Sequence, residues 1–583
     1  MSKRWIIEPP WEGSAEAAAR WGVSPLVAQL LFNRGLGELS EAESFLAPRL
    51  KDLYPPARLP GAQDAARIIA EAVRGGRRVV IYGDYDVDGI TGVAILWRVL
   101  TCAGANVDFY VPDRIQEGYG LHPEAVRGLA EAGAELIVTV DCGVTGVEAA
   151  ALLRERGVTL IITDHHLAGP ALPEAAAIVH PRLATDGAGA PASSEYPNPD
   201  LSGSGVAFKV GWAVAQELCG AERVSTEMKD VLTDALPLAA LGTIADVVPL
   251  VDENRILARH GLTELPRTRL PGLAALLESA GLSRGTVDGT DVGFKLAPRL
   301  NAAGRMGHAR LAVELLTRAD TARGREIARV LEQSNRARQT VERQIFRDAC
   351  ERIDGRRLAA DSRRGIVLAS SEWHPGVIGI VAARIVERYS RPTILISTNE
   401  GEGQGSGRTF GSFDLHAALQ ACATHLTTYG GHAKAAGLKL KTSSVEAFEE
   451  AFVDVANRRL MPADLVPGLR IDAEVPLSAL TLEAVDQISR LEPFGQGNPR
   501  PRFCTGWIEL SGEPRCVGEQ GTHMQVLFRE NGAQMKGIGF GMASLAEDLK
   551  EHRRCRAAFE PILNTYQGRT TVEMKLVDLQ FPS

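Results

Sequence analysis

The chain has 583 residues, a formal net charge of −8 and 45% hydrophobic residues, too long for a single core and apolar enough to bury several. Its acidity argues weakly against a passive nucleic-acid coat, and no apolar run approaches the length of a bilayer span. Eight scattered cysteines without a C-x-x-C pair argue against a zinc ribbon or a disulfide framework. Reduced thiols and an N-terminus, MSKRWIIEPPWEG, without a signal-peptide pattern lead to the expectation of a soluble cytoplasmic protein with no membrane contact.

Residues 14–75 read as helices, with a break at Pro55–Pro56. From there short β-branched runs recur at 78–82, 107–111, 136–140, 158–163 and 177–180, with Ala/Leu-rich helical segments at 91–103, 123–132 and 146–156. This alternation predicts a parallel sheet with helices on both faces, whose ligands bind beyond the carboxyl ends of the strands. Residues 186–205 read as a loop, 205–240 as helical, and about 308–353 as one long connecting helix. A second α/β pattern covers about 364–455: strand 365–369, helix 376–388, strand 393–397, a Gly-rich turn, helix 414–424, then GGHAKAAGLKL. Short strands from 467 to 580, with turn signals at Asn531–Gly532 and Gln567–Gly568, predict a small β-barrel. Between Arg299 and Arg347 stand eleven arginines and five acids, a local balance of +6. That stretch reads either as a solvated face laced with ion pairs or as lining for a polyanion.

Carboxylates gather where strands end. IYGDYDVDGITG, 81–92, holds Asp84, Asp86 and Asp88 directly after an apolar run. VTVDCGVT supplies Asp141, IITDHH supplies Asp164, His165 and His166, and LGTIADVVPL supplies Asp246. Each has a plain reading: Asp88 and Asp141 as caps, the histidines as a chance pair in a loop. Asp246, inside an apolar run, needs a partner in any case. Converging on one sheet edge, these acids would be hard to ionise without cations, and two divalent ions would balance Asp86, Asp88, Asp141 and Asp246. Mixed carboxylate and imidazole ligands favour Mn²⁺, or catalytic Mg²⁺. Adjacent residues of an extended chain point to opposite sides. His165 and His166 are therefore expected not to share an ion, whereas Asp84, Asp86 and Asp88 share a side, with Asp84 in support. Asp164 is a candidate partner for an imidazole. Two metals roughly 3.5–4 Å apart suit in-line displacement at phosphorus. Arg114, Arg299, Arg305 and Arg408 are candidate phosphate partners, and Gly-rich turns around 405–407 and 430–431 could present N–H groups to an anion.

IYGDYDVDGITG, PDRIQEGYGLH, VTVDCGVT, TDHH and ALGTIADVVPL resemble the successive motifs of the DHH phosphoesterases. APRLNAAGRM, SSEWHPGVIGIVAARI, GSGRTFGSFDL, YGGHAKAAGLKL, LEPFGQGNPRPRF and PILNTYQGRTTVEMKLVD narrow the likeness to the branch of bacterial exonucleases specific for single-stranded DNA. The resemblance runs from about residue 20 to the C-terminus. It implies an α/β protein: a parallel-sheet DHH domain and a smaller α/β DHH-associated domain joined by a long helix, with a C-terminal OB-fold β-barrel. The corresponding ranges are an N-terminal helical segment at 1–60, the DHH domain at 61–305, the connecting helix at 306–355, the associated domain at 356–460 and the barrel at 461–583. The two α/β lobes would enclose a groove for one strand.

By motif position the resemblance implies metal ligation and catalysis by Asp86, Asp88, Asp141, His165 and Asp246, with His166 at or beside the metals and Asp84 in support. It implies phosphate contacts from Arg114, Ser406 and Arg408, with Gly431 and His432 in the GGH turn facing the active site. Arg299, Asn301 and Arg305 of APRLNAAGRM complete the expected substrate-binding set. Thr409 stands where serine is expected more often, which keeps the hydroxyl. The activity implied is processive 5′→3′ release of 5′-mononucleotides with Mn²⁺ or Mg²⁺, in DNA repair and recombination. The implied partners of a monomer are single-stranded DNA, a single-strand-binding protein and a helicase. Stacking candidates are Phe494, Phe503, Trp507, Phe528 and Tyr566, with Arg500, Arg502 and Arg569; one or two aromatics are expected to face DNA. Two rivals remain: a DHH enzyme for a small substrate, which needs no long helix or barrel, and a non-enzymatic scaffold, in which ligands would be eroded.

Overall fold

The computed structural model describes residues 3–114, 117–185, 191–283, 285–305 and 308–582. Residues 186–190 of the predicted loop, Ile115 and Gln116 of PDRIQEGYGLH, and Met306 of APRLNAAGRM lie outside the described residues. The chain forms two compact units, one of Glu43–Arg336 with Leu491–Pro499, the other of Met1–Ala42, Ala337–Arg490 and Arg500–Ser583.

In the first unit the β-branched runs become β1 (Val79–Gly83), β2 (Val107–Tyr110), β3 (Leu136–Val140), β4 (Thr159–Thr163) and β5 (Ala177–Val179). They form a parallel sheet in the order β2-β1-β3-β4-β5. Val79, Ile81, Val138 and Ile161 enter one apolar cluster, while Val80, Tyr82, Ile137 and Ile162 enter another. Burial on both faces is why these strands read as continuous apolar runs instead of alternating ones. The helices that matter most for the site are α1 (Val87–Cys102), α2 (Gly203–Cys219), α3 (Thr226–Ala245), α4 (Asp252–Glu264) and α5 (Ala297–Arg305).

Helix α1 starts four residues before the expected 91. Asp86 caps it: its Oδ1 accepts the N–H groups of Asp88 and Gly89 at 2.9 and 3.1 Å, and this outweighs the low helix propensity of Gly89 and Gly92. Asp86 and Asp88 therefore do not share a side of an extended chain; Asp88 sits in the first helical turn. The expected helix over 308–353 is two helices, Ala309–Thr317 and α6 (Thr321–Gly355). Asp320 separates them by accepting the Arg323 N–H at 2.8 Å. The division between the two units falls inside α6.

The second unit contains a mixed sheet of β6 (Ile366–Ser370), β7 (Thr393–Asn399), β8 (Glu402–Arg408), β9 (Thr428–Gly431) and β10 (Ala435–Lys441), in the order β9-β10-β8-β7-β6. Helix α7 (Ile378–Tyr389) packs on it. The Gly-rich stretch at 405–407, expected to be a turn that offers N–H groups to an anion, is the middle of β8, paired with Ile394–Ile396 on one side and Ala436–Leu438 on the other. The turn lies earlier, at Glu400–Gly401, both with positive φ.

The C-terminal strands include a closed ring of five: Arg554–Tyr566, Ile508–Leu510, His523–Glu530, Ala533–Gly539 and Arg569–Gln580, which returns to the first. Two of its hairpins turn at Asn531–Gly532 and Gln567–Gly568, all four residues with positive φ, as two-residue hairpin turns require. The N-terminal segment is not helical throughout. Arg4–Ile7 is a strand parallel to Gly468–Ile471, and Trp5 and Ile7 pack on Leu469 and Ile471.

Candidate metal centre

Three neighbouring strands each deliver an acid one residue beyond their last ladder position. Asp84 follows β1, Asp141 follows β3 and Asp164 follows β4. Their N–H groups extend the sheet by one bond each, to Val140 O, Thr163 O and Val179 O at 3.1, 3.0 and 3.1 Å. Strand register thus sets the acids side by side. Asp141 turns off the strand with φ 62°. Helix α1 adds Asp88, and Asp246 caps the C-terminus of α3.

The buried Asp88 carboxylate accepts the Gly203 N–H at 2.6 Å and the Ser204 N–H at 2.8 Å. Those donors form the first turn of α2, where exposed N–H groups and the helix dipole favour an anion. Asp164 is saturated in another way. Its Oδ2 accepts the Val144 N–H at 2.9 Å, and its Oδ1 accepts the N–H groups of His165 and His166 and meets His166 Nδ1 at 2.8 Å.

Both imidazoles reach the same carboxylate. His165 Nε2 lies 3.1 Å from Asp141 Oδ1, 3.6 Å from Asp246 Oδ2 and 3.9 Å from Asp88 Oδ2. His166 Nδ1 lies 3.7 Å from Asp141 Oδ1. The expectation of opposed histidines fails because Asp164 gathers both N–H groups into a turn, so the chain there is not extended.

Charge in this cluster is unbalanced. Burial, then the neighbouring acids, pushes Asp84 and Asp141 well above the usual carboxylate range, Asp246 up to about 8 and Asp88 up to about 6. Burial drives His165 down to about 3. Burial also opposes charge on His166, but the Asp164 hydrogen bond and charge overcome it and hold His166 up at about 9. The same contact, with the Val144 N–H, outweighs burial at Asp164 and holds it at about 2.

Asp84 Oδ1, Asp141 Oδ1 and His165 Nε2 are buried without a hydrogen-bond partner. Buried polar atoms are rarely left so; two of the three, Asp141 Oδ1 and His165 Nε2, face each other at 3.1 Å, and a divalent cation among them would suit all three. Among the described residues, donor atoms within 4.8 Å of one another occur in three sets: Asp88, His165 and Asp246; Asp84, Asp86 and Asp141; Asp141, His165 and His166. The donor chemistry fits hard or borderline divalent ions.

Sequence reasoning missed three participants. A Cβ at Gly203 would lie 2.5 Å from Asp141 Oδ1, and one at Gly242 would lie 2.4 Å from Asp88 Oδ1. Tyr119 meets His166 Nδ1 at 2.8 Å through its hydroxyl, which also reaches Asp141 O at 3.3 Å. The signals were present in SGSG, LGT and EGYG, but small residues read as loop or packing.

Of the expected substrate residues, Arg114 lies 4.8 Å over the Tyr85 ring, between Asp84 and Asp86 in sequence. Helix α5 approaches the same segment, since a Cβ at Gly304 would lie 2.9 Å from Tyr85 O. On that helix the Arg305 charge acts on Tyr85, and Asn301 Oδ1 is buried without a partner. Arg299, on the same helix, pairs with Glu332 at 2.8 Å and donates to Lys295 O at 2.6 Å. Ser406, Arg408, Gly431 and His432 belong to the second unit. There Arg408 donates to Ser406 Oγ at 3.1 Å, and Gly379 of α7 would bring a Cβ within 2.8 Å of that oxygen. Burial and then the Arg408 charge lower the His432 pKa. Gly431 has φ 127°.

The basic stretch follows the ion-pair reading more than the polyanion reading. Arg299, Arg318, Arg323, Arg325, Arg336 and Arg338 all pair with acids of the protein. Phe503 and Phe528 are core residues, whereas Trp507 and Tyr566 are 40% and 71% exposed.

A parallel sheet whose strand ends collect aspartates around a DHH tripeptide defines a DHH phosphoesterase. Models of the DHH family N-terminal domain, the DHHA1 domain and the RecJ OB domain match residues 78–243, 363–460 and 471–578. The single-stranded-DNA-specific exonuclease RecJ of Bacillus subtilis (strain 168) is 36% identical, over 99% of this chain and 70% of its own length. Crystal structures of RecJ from Thermus thermophilus, in complex with Mn²⁺ and with Mg²⁺, match with TM-scores of 0.82 and 0.77 at 33% and 32% identity. They cover 100% of this chain and 80% and 79% of theirs. The chain belongs to the RecJ family. No helix among the described residues is long and apolar enough to cross a membrane.

Proposed function

We propose that this chain is an exonuclease that degrades single-stranded DNA 5′→3′ to 5′-mononucleotides, with two divalent ions, Mn²⁺ or Mg²⁺. The observation that carries the reading is the set of buried atoms on Asp84, Asp141 and His165 that make no hydrogen bond, in a chain of the RecJ family. Asp86, Asp88, Asp141, His165 and Asp246 would hold the metals, with His166 at their edge and Asp84 in support. Such ions supply positive charge that activates water and offsets the negative charge of displacement at phosphorus.

The chain's own residues prepare that chemistry. The N–H groups of Gly203 and Ser204 hold Asp88 ionised and aimed. Burial keeps His165 neutral, as a ligand must be. Asp164, 2.8 Å from His166 Nδ1, orients that ring toward the site. Arg114 and Arg305 flank Tyr85 and serve as cations for the strand, with Asn301 and Arg299 on the helix of Arg305. Ser406, Arg408, Gly431 and His432 would contact phosphate, and Trp507 and Tyr566 would stack on bases. We assign these tasks to a DHH domain at 61–305, a connecting helix at 306–355, an associated domain at 356–460 and an OB barrel at 461–583, after an N-terminal segment at 1–60. The same reading gives a cytoplasmic monomer in repair and recombination, working with a single-strand-binding protein and a helicase.

The test is a time course on a long 5′-phosphorylated strand, labelled at either end, with Mn²⁺ or with chelator. Immediate release of the 5′ label as mononucleotide, with progressive shortening of the 3′-labelled strand, is expected. Chelator should silence it, and Asp86→Ala should cost about 10³-fold or more, several kcal/mol of barrier. Intact long strands alongside cleaved dinucleotides or pyrophosphate would overturn the reading in favour of a small-substrate enzyme.

A further inference from the structure

The motif LEPFGQGNP has no task in the chemistry above, yet it is where the chain leaves one unit for the other. Leu491–Pro499 belongs to the unit with the acid cluster, although the residues on either side belong to the second unit. We infer that this segment is a clasp that positions Asp246 for metal binding, an inference that rests on the ligand role proposed for Asp246.

The turn after Asp246 is strained. Val247 has φ 61°, a left-handed conformation costly for a β-branched residue. The residue is 63% exposed, so packing of its side chain does not hold it there. Upstream, the Asp246 N–H is fixed to Gly242 O at 2.9 Å. Downstream, the clasp takes hold: Leu250 N–H donates to Gln496 O at 2.7 Å. A Cβ at Gly497 would lie 3.0 Å from Pro249 Cβ, and one at Gly495 2.7 Å from Leu250 Cδ1. The two glycines let the segment lie directly on Pro249 and Leu250.

The clasp is itself anchored from inside the unit. Arg255 of α4, 2% exposed, donates to Leu491 O at 2.9 Å and Glu492 O at 3.0 Å, and Arg259 also donates to Glu492 O. Asn498 ties the segment to itself through Leu491 O and Pro493 O at 2.7 and 2.9 Å. Fixed at both ends, the strained turn keeps the Asp246 carboxylate 3.6 Å from His165. Released, Val247 would relax toward an ordinary conformation and carry Asp246 with it. The clasp residues act through Asp246.

The experiment is calorimetric Mn²⁺ titration of the full chain, comparing wild type, Gly497→Ala, Asn498→Ala, Asp246→Asn and the double variant Asp246→Asn/Gly497→Ala. Gly497→Ala meets both a positive φ of 73° and the Pro249 contact; Asn498→Ala loosens the segment without adding an atom. Each clasp variant should weaken Mn²⁺ binding about tenfold, the usual scale for a residue that orients a ligand. The melting temperature in chelator should fall only slightly. In the double variant Gly497→Ala should add nothing to the loss caused by Asp246→Asn. Wild-type affinity in both folded clasp variants, or additive losses in the double variant, would overturn the inference. If Asp246→Asn itself leaves Mn²⁺ affinity at the wild-type value, it is the ligand role of Asp246 that fails.

Discussion

The two α/β regions of this molecule use glycine for opposite ends. Around the acid cluster, Gly203 and Gly242 leave room for carboxylate oxygens, which lie 2.5 and 2.4 Å from where a Cβ would be. On β8, Gly405 and Gly407 leave room for leucines, with Leu438 at 2.7 Å and Leu415 at 2.9 Å. The first pair of spaces holds unbalanced charge and the second holds core. A glycine-rich stretch therefore carries no meaning until the atom filling the vacant Cβ position is known.

The largest effect expected from this contrast separates those roles. Gly242→Ala would drive a methyl into Asp88 and should reduce cleavage about 10²-fold, with a matching loss of Mn²⁺ affinity. Gly405→Ala should cost stability instead, about 1–3 kcal/mol by overpacking, with cleavage at a permissive temperature close to wild type. Denaturant melts and single-turnover rates on both variants check the contrast, and equal effects on both readouts would erase it.

A medium effect follows from charge. His166 is raised from 6.5 to about 9, so the stability it contributes is full below pH 6.5 and is lost as pH rises through 9. Asp246, raised from 3.8 to about 8, loses stability over the same direction of pH. Both arise in the acid cluster, so the melting temperature of metal-free protein should fall between pH 6.5 and 9. Saturating Mn²⁺ should flatten that slope, because the cation replaces the protons. A slope unchanged by Mn²⁺ would mean that the titrating groups lie elsewhere.

The smallest effect belongs to the arginine-rich helix. Arg325 and Glu278 pair on the surface, at 61% and 58% side-chain exposure. Arg325→Ala should change stability by no more than about 0.5 kcal/mol in a denaturant melt. A larger loss would mark this face as more than a solvated ion-pair surface.

Much of this was legible beforehand. The strands of the parallel sheet fell within a residue or two of their expected ends, because burial on both faces leaves a continuous apolar signal. The Asn531–Gly532 and Gln567–Gly568 turns were readable because few other residues accept positive φ. What failed was local geometry decided by side-chain hydrogen bonds. Asp86 began a helix early, and Asp164 folded two histidines onto one side. Neither leaves a periodic trace.

By itself the sequence determined the layered α/β order, the strand-end aspartates and the barrel turns, since each rests on a residue's own burial preference or backbone freedom. Only tertiary structure decided which atoms met. Register across β1, β3 and β4 set the acids side by side, the first turn of α2 held Asp88, and a segment from near residue 495 reached Pro249 and Leu250. Contacts between residues hundreds of positions apart depend on the folded path of the chain, and no local pattern encodes them.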